Sequence, residues 1–134
     1  TGRLRNMNDL LYKEELLDHY RHPRNYGELS DAHIRAESYN PSCGDAVVLY
    51  VIFDELSISK IMFQGKGCVI SQAAASLLTE HVLSVAPETL ETFGKDEMLM
   101  LLGLQLGPTR LRCALLAQES LIKALTMRKE GHHA

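Results

Sequence analysis

Asn40-Pro41-Ser42-Cys43-Gly44-Asp45 is the stretch from which the rest of the chain can be placed, since it separates a polar segment from the most strand-like run in the sequence. The proline fixes its own φ and pushes the preceding asparagine toward extended geometry, so a helix cannot pass through. The glycine frees the backbone beside the thiol, and this combination predicts a tight loop. A soft sulfur ligand and a hard carboxylate ligand therefore share one exposed turn. That pairing indicates a metal or sulfur site rather than a core.

Strand-like segments lie on both sides of this loop. Residues 34–39 predict a short strand before it, and residues 46–53, rich in Val, Ile, Leu and aromatics, predict a buried strand after it. Residues 54–55 offer a turn, and residues 58–63 supply the returning strand. The simplest arrangement is a three-stranded antiparallel meander. Gly65-Lys66-Gly67 is expected to end this sheet just before the second cysteine.

The N-terminal part of the chain predicts one helix. Residues 10–20 have apolar side chains at helical spacing. Asp9 is the expected N-cap, and Pro23 is expected to stop the helix shortly after His22.

The second half of the chain is helical in pattern. One helix is expected from residue 69 until Pro87 closes the segment, and another over residues 87–102, weakened at Gly94. Pro108 is well placed to begin the last helix, which is expected to run to about Arg128. The fold class is therefore α+β, with an N-terminal helix, a three-stranded antiparallel sheet and three helices packed on the sheet. The last helix is expected to carry an apolar stripe: Leu111, Leu115, Ile122 and Leu125.

Composition narrows the classes of function. The length of 134 residues favours a single domain. Fourteen Lys and Arg against seventeen Asp and Glu give a net charge of −3, so the composition lacks the excess of positive charge that is typical of nucleic-acid-binding proteins. The longest apolar run, residues 46–53, has eight residues and is too short to span a membrane as a helix. Three cysteines, an odd number without a visible export signal, favour reduced thiols in a cytoplasmic setting.

Each cysteine has its own local context. Cys43 is in a loop, where a buried structural cysteine would be out of place. Cys68 precedes a predicted helix, whose unpaired amide donors favour a thiolate, and Lys66 adds a nearby positive charge. Cys113 is one turn into the last helix beside Arg112, which could lower the pKa of the thiol or steer an anion. On its own, Cys113 would most often be core packing.

Four side chains would make a metal-ligand set if the fold joined them. Three thiolates with Asp45 suit zinc, at Zn–S distances of about 2.3 Å and Zn–O distances of about 2.0–2.2 Å. The chain has no Cys-x-x-Cys pair, so the spacing alone is a weak signal. His81 lies thirteen residues beyond Cys68, about 20 Å along a continuous helix, and cannot reach such a site. The predicted set is Cys43, Asp45, Cys68 and Cys113.

Three motifs carry a family resemblance, together with the segment from Leu11-Tyr12-Lys13-Glu14 to His22-Pro23-Arg24-Asn25. The motifs are the 40–45 loop, Gly67-Cys68-Val69-Ile70-Ser71-Gln72-Ala73, and Arg110-Leu111-Arg112-Cys113-Ala114. In this order, over roughly residues 10–127, they resemble the IscU/SufU/NifU N-terminal family of iron–sulfur cluster scaffolds. The resemblance implies one scaffold domain over residues 10–128, with residues 1–9 and 129–134 as tails.

The resemblance also implies a function. The three cysteines would ligate a transient [2Fe–2S] cluster, and Cys113 and Cys43 are the candidate acceptors of persulfide sulfur from a cysteine desulfurase. Asp45 would be the accompanying carboxylate ligand, and the cluster would pass to acceptor apoproteins. A carboxylate is a harder and less retentive ligand than a thiolate, so Asp45 is expected to keep the site labile. Lys66 and Arg112 would support the site.

Two features depart from the IscU type. Arg112 stands where IscU-type members carry His, as in SufU-type members, yet only 44 residues separate Cys68 from Cys113, so the SufU-type insertion is missing. Leu106-Gly107-Pro108-Thr109-Arg110 differs from the Leu-Pro-Pro-Val-Lys motif of the IscU type, which argues against an Hsp70-type chaperone partner. The motifs are SufU-like and the length is IscU-like.

Other functions stay open at this point. A zinc-bound sulfur acceptor working with a desulfurase, as in the SufU type, would have sulfur-transfer activity, whereas a scaffold has no turnover of its own. A structural zinc module serving as an interaction domain belongs to another class. A cysteine hydrolase is disfavoured, because no histidine is placed by local pattern to activate a thiol. The fold could still bring His19 or His33 near.

Overall fold

The α+β architecture is confirmed by a computed structural model that describes residues 2–55 and 57–131. A helix comes first, the sheet follows, and all remaining helices come after it. The elements in chain order are α1 (Gly2–Arg21), β1 (Ile34–Asn40), β2 (Asp45–Phe53), β3 (Ile58–Lys66), α2 (Val69–Val82), α3 (Pro87–Leu90), α4 (Lys95–Leu102), α5 (Pro108–Ala114) and α6 (Leu116–Lys129).

The sheet is the predicted antiparallel meander, with strand order β1-β2-β3. Its first turn is tight, because the ladder between β1 and β2 ends on the pair Asn40 and Asp45. Strand β1 alternates strictly between buried and exposed residues, as expected when one face of a sheet covers a core. Strand β3 extends to Lys66, so the sheet ends at Gly67 rather than at Gly65.

The core lies between one face of the sheet and the helices. Helix α2 contacts α1, β3 and α6, and its run of three fully buried alanines, 73–75, lets these neighbours approach closely. Phe63 and Leu49 are the largest fully buried side chains that the sheet contributes near its centre. A smaller apolar cluster of Leu29, Val48 and Tyr50 covers part of the opposite face. Among the described residues, no helix has the length and apolarity needed to cross a membrane.

The start of the first helix differs from the prediction. Helix α1 begins at Gly2, and the backbone is helical on both sides of Asp9, so the prediction of Asp9 as N-cap is wrong. An aspartate is favoured at an N-cap but does not interrupt a helix when the residues before it also adopt helical geometry. At the other end, residues 132–134 of the expected tail lie outside the described residues.

The two later helices are each divided. The segment 87–102 forms α3 and α4, and Gly94, where weakening was predicted, is the N-cap of α4. Pro108 begins α5 as predicted, but the helix is interrupted at Leu115, which separates α5 from α6. The predicted stripe is wrong at Ile122, which is 49% exposed, because the face that packs inward carries Cys113, Ala117 and Leu121 at helical spacing and Ile122 lies about 100° away from Leu121. The buried face of α6 instead contains Leu116, Ala117, Gln118, Ser120, Leu121, Ala124 and Leu125.

Candidate metal and sulfur site

The 40–45 loop forms the first part of the site. The Asn40 side chain accepts a hydrogen bond from the Ser42 N–H at 3.1 Å and donates one to the Cys43 sulfur at 3.1 Å. Gly44 has φ of +74°, a conformation that glycine adopts without steric cost. The predicted tight turn is therefore confirmed, and Cys43 is exposed on it.

Cys68 occupies the N-cap of α2, which confirms the predicted start of that helix. Its sulfur accepts a hydrogen bond from the Ser71 N–H at 3.4 Å, so the thiol takes the place that an oxygen usually has at this position. The backbone N–H of Cys68 donates to the Asp45 carboxylate at 2.9 Å. The second cysteine is thereby fixed to the loop that carries the first.

Cys113 reaches the site from helix α5. It is only 3% exposed, and its sulfur lies 3.4 Å from the sulfur of Cys43. The Thr109 carbonyl, one turn earlier, accepts from the Cys113 thiol at 3.5 Å. The two interpretations of Cys113 drawn from the sequence are therefore compatible, because the residue is both buried and part of the site.

Asp45 is the residue around which the three thiols gather. It is 1% exposed, and its Oδ2 lies 3.3 Å from the Cys43 sulfur and 3.4 Å from the Cys68 sulfur. Gly67 has φ of +130°, and a side chain there would overlap the Asp45 carboxylate. A glycine at 67 is therefore what allows the carboxylate to lie in this position.

Two pKa shifts follow from this packing. Burial raises the pKa of Asp45, but hydrogen bonds from Cys113, from the Cys68 N–H, and from the Cys43 and Cys68 thiols outweigh it, so the net pKa is lowered. Burial, together with the hydrogen bonds to Asp45, Cys43 and Cys68, raises the pKa of the Cys113 thiol far above its ordinary value. Without a cation the site thus pairs an ionised Asp45 carboxylate with a protonated Cys113 thiol, and a cation bound to Cys113 would have to displace that proton.

The donor set fits a thiophilic cation. One ligand atom from each of Cys43, Asp45 and Cys113 lies within 4.8 Å of the others. Two sulfurs and one carboxylate oxygen are ligands that zinc accepts and that iron–sulfur chemistry uses. Cys68 is not a member of this set of three, although its sulfur contacts the Asp45 carboxylate. The structure brings three of the four predicted ligands within range of one ion and places the fourth beside them.

The thiols lie in an open cavity of about 950 Å³. All three cysteines line it, and its walls are mainly leucine and isoleucine side chains from α1, α2 and the segment before α5. Lys13 and Arg110 are the cationic residues among those that line it. Neither was predicted as a site residue, although Lys13 lies in the N-terminal segment and Arg110 in the third motif that carry the family resemblance. Lys13 is 30 residues before Cys43, and only the packing of α1 brings it here.

The other predicted residues lie elsewhere. Lys66 lines a separate cavity of about 500 Å³, which Gly67 also lines, and Arg112 is exposed on α5 without lining either cavity. Their supporting role stays a prediction. His19 is buried and hydrogen-bonded to Ser76 at 2.7 Å, away from the thiols. His33 is likewise absent from the residues that line the cavity, so neither histidine is placed to activate a cysteine.

An α+β domain whose three cysteines line an open cavity beside a buried carboxylate has the donor atoms that metal and sulfur chemistry use. The NifU-like N-terminal domain family matches residues 11–133, which is most of the chain. The chain therefore belongs to this family of iron–sulfur cluster assembly scaffolds, which includes IscU and SufU proteins.

The curated relatives include both SufU and IscU proteins. The chain is 31% identical to the zinc-dependent sulfurtransferase SufU of Bacillus subtilis, over 92% of this chain and 95% of that protein. It is 30% identical to the iron–sulfur cluster assembly scaffold protein IscU of Thermotoga maritima, over 87% of this chain and 93% of that protein. A crystal structure of the SufU protein of Fervidobacterium islandicum, described as a scaffold for the SUF system, superposes with a TM-score of 0.70 at 27% identity, covering 84% of this chain and 94% of the other.

Proposed function

We propose that this protein accepts persulfide sulfur from a cysteine desulfurase and uses it to assemble a transient [2Fe–2S] cluster for acceptor apoproteins. One observation carries the proposal, namely that all three cysteines line an open cavity and that the buried carboxylate of Asp45 lies against their thiols. The ligands would be Cys43, Asp45, Cys68 and Cys113. The free thiols are also consistent with a reducing cytoplasmic compartment.

The size of the cavity supports a protein donor of sulfur. A volume of about 950 Å³ exceeds the needs of a cluster of a few atoms and falls within the range of sites that hold larger ligands. Apolar walls would accept a segment of a partner that presents a persulfide. Lys13 and Arg110 would attract the negative charge of that group. Exposed Cys43 and Cys68 are the thiols that such a segment would meet first.

Asp45 would make the cluster releasable. Its Oδ1 already accepts the hydrogen bond from the Cys68 N–H, so a metal bound to this carboxylate would share it with that donor. A carboxylate also binds iron less tightly than a thiolate does. The buried carboxylate therefore supplies the weak ligand that transfer requires.

A zinc-bound sulfur acceptor is the second candidate. The set of three ligand atoms within 4.8 Å, formed by Cys43, Asp45 and Cys113, matches the dimensions of a site for a single ion. The identity of 31% with the SufU of Bacillus subtilis favours the same hypothesis. Zinc would stabilise the thiolate form of its ligands until one of them accepts sulfur. A purely structural zinc site is less consistent with two exposed thiols, because structural sites are closed.

One reconstitution separates these functions. The protein is purified without oxygen, zinc and iron are measured per chain, and visible absorption is followed after addition of desulfurase, cysteine and ferrous iron. A scaffold gives a cluster spectrum that disappears when an acceptor apoprotein is added. Retained zinc with stimulated desulfurase and no cluster spectrum would overturn the scaffold proposal in favour of the sulfur acceptor. Ser59→Ala, on the exposed side of β3, serves as a control variant and should give the same result as the wild type in each step.

A further inference from the structure

Two of the thiols are arranged to react with each other. The sulfurs of Cys43 and Cys113 lie 3.4 Å apart, although the residues are separated by 70 positions in the chain. Cys43 is exposed on a four-residue turn, whereas Cys113 is 3% exposed on α5. An incoming sulfur donor therefore reaches Cys43 more readily than Cys113. Cys113 is in position to act on whatever Cys43 has received.

We infer that Cys113 is a resolving thiol, which attacks a persulfide on Cys43 and releases its outer sulfur as sulfide. The inference rests on the proposed function only for the origin of that persulfide. It assigns different tasks to two cysteines that the sequence presents as equivalent acceptors.

The chemistry balances within the chain. The Cys113 thiol passes its proton to the Asp45 carboxylate, to which it is hydrogen-bonded, and its sulfur attacks the Cys43 sulfur. A Cys43–Cys113 disulfide forms, and the bond from Cys43 to the outer sulfur breaks. That outer sulfur takes up two electrons and leaves as hydrogen sulfide, with its own proton and the proton that Asp45 returns. The two cysteine sulfurs supply the electrons and become oxidised. A small dithiol then reduces the disulfide and restores both thiols.

The geometry permits the new bond. A disulfide needs a sulfur–sulfur distance of about 2.05 Å, so the two sulfurs must approach by about 1.4 Å from their separation of 3.4 Å. The turn at 41–44 is exposed, and surface turns move more easily than the elements they connect. Asn40 donates a hydrogen bond to the Cys43 sulfur and keeps that sulfur directed toward the cavity.

Cys68 is not equivalent to Cys113. Its sulfur is hydrogen-bonded to the Asp45 carboxylate and to the Ser71 N–H, and it lies outside the group formed by Cys43, Asp45 and Cys113. Cys68 is therefore the competing thiol in the same cavity, and disulfide mapping distinguishes its participation from that of Cys113.

The test follows one turnover on the metal-free protein. The full chain is persulfidated with inorganic polysulfide, excess reagent is removed rapidly, and intact mass, free sulfide and disulfide mapping are followed over time. We expect the wild type and the surface control Ser59→Ala to lose the added sulfur together with the appearance of sulfide and a Cys43–Cys113 disulfide. The rate should not depend on protein concentration. In Cys113→Ser the added sulfur should remain on Cys43 at least about tenfold longer, as expected when the intramolecular thiol is missing.

Several results would overturn the inference. The first is that Cys113→Ser loses its added sulfur as fast as the wild type does. The second is that the disulfide formed involves Cys68. The third is that no variant takes up sulfur. Circular dichroism of each variant verifies folding, and Cys113→Ala replaces Cys113→Ser if the serine variant does not fold. A second arm loads the sulfur with a cysteine desulfurase and cysteine. Failure of that arm alone counts against the proposed function and leaves a positive polysulfide result in support of the resolving role.

Discussion

Replacing Gly67 with alanine should damage both the stability of the fold and the metal site. Gly67 has φ of +130°, and a Cβ there would overlap the carboxylate of Asp45. A non-glycine residue in such a backbone region costs about 1–3 kcal/mol. Displacing Asp45 also breaks its hydrogen bond from the Cys68 N–H, and an unsatisfied buried group costs about 1–3 kcal/mol. We expect Gly67→Ala to lower the free energy of unfolding by about 2–6 kcal/mol, a large share of the roughly 5–15 kcal/mol of a typical domain.

Two other glycines provide matched controls. Gly44 has φ of +74° but nothing within 4 Å of a built Cβ, so Gly44→Ala isolates the backbone cost of about 1–2 kcal/mol. Gly107 has φ of −69° and open space, so Gly107→Ala should stay within about 1 kcal/mol of the wild type. The three variants should therefore rank Gly107→Ala, Gly44→Ala, Gly67→Ala in order of increasing damage.

Urea unfolding of the reduced, metal-free proteins measures the free energies, and competition with a chromophoric chelator measures zinc affinity. We expect zinc affinity to fall most in Gly67→Ala, because Asp45 is displaced only there. If Gly67→Ala and Gly107→Ala differed by less than about 1 kcal/mol, the argument from close packing of Gly67 against Asp45 would be refuted.

Three further predictions concern single side chains. Asp45→Ala should retain an assembled cluster several-fold longer during transfer to an acceptor, because the weak ligand is gone, and unchanged or faster loss would contradict this. Burial and the charge of Arg24 lower the pKa of His19, so the folded state resists protonation and stability is lost as pH falls below about 6.5. The free energy of unfolding should therefore drop more between about pH 7.5 and pH 5.5 in the wild type than in His19→Gln, and equal slopes would refute the role of His19. Arg110→Gln should raise the KM for a desulfurase several-fold with little change in kcat, and the KM should depend less on salt than in the wild type. Lys60→Gln, on the exposed side of β3, should leave the KM, the kcat and the salt dependence unchanged.

Local signals predicted the parts of the fold that depend on local physics. Pro41 and Gly44 fixed the turn, and alternation and β-branched residues fixed the meander around it. Gly94 and Pro108 marked real helix boundaries. The interruption at Leu115 had no such marker, since nothing in its immediate sequence forbids a continuous helix. The exposure of Ile122 could not be predicted either, because the spacing of apolar residues does not say which face of α6 packs against β1 and β2.

The candidate site likewise contains residues that local sequence signals identified and residues that they did not. Cys43, Asp45 and Cys68 were identifiable because each lies at a turn or a helix end, where a core residue is unusual. Cys113 was ambiguous, because a cysteine on an apolar helix face normally belongs to a core. Lys13 was missed altogether, since its presence at the cavity depends on how α1 packs against α2.

The sequence by itself determined the order of the elements, the turn at 40–45, the identity of the candidate ligands and the family resemblance, because these depend on backbone preferences and side-chain chemistry over a few residues. Only the tertiary structure decided that Cys113 faces Cys43 at 3.4 Å, and that Asp45 is buried between the thiols. It also decided which cations line the cavity. Distances between residues far apart in the chain follow from the packing of whole helices on the sheet, which no local pattern encodes.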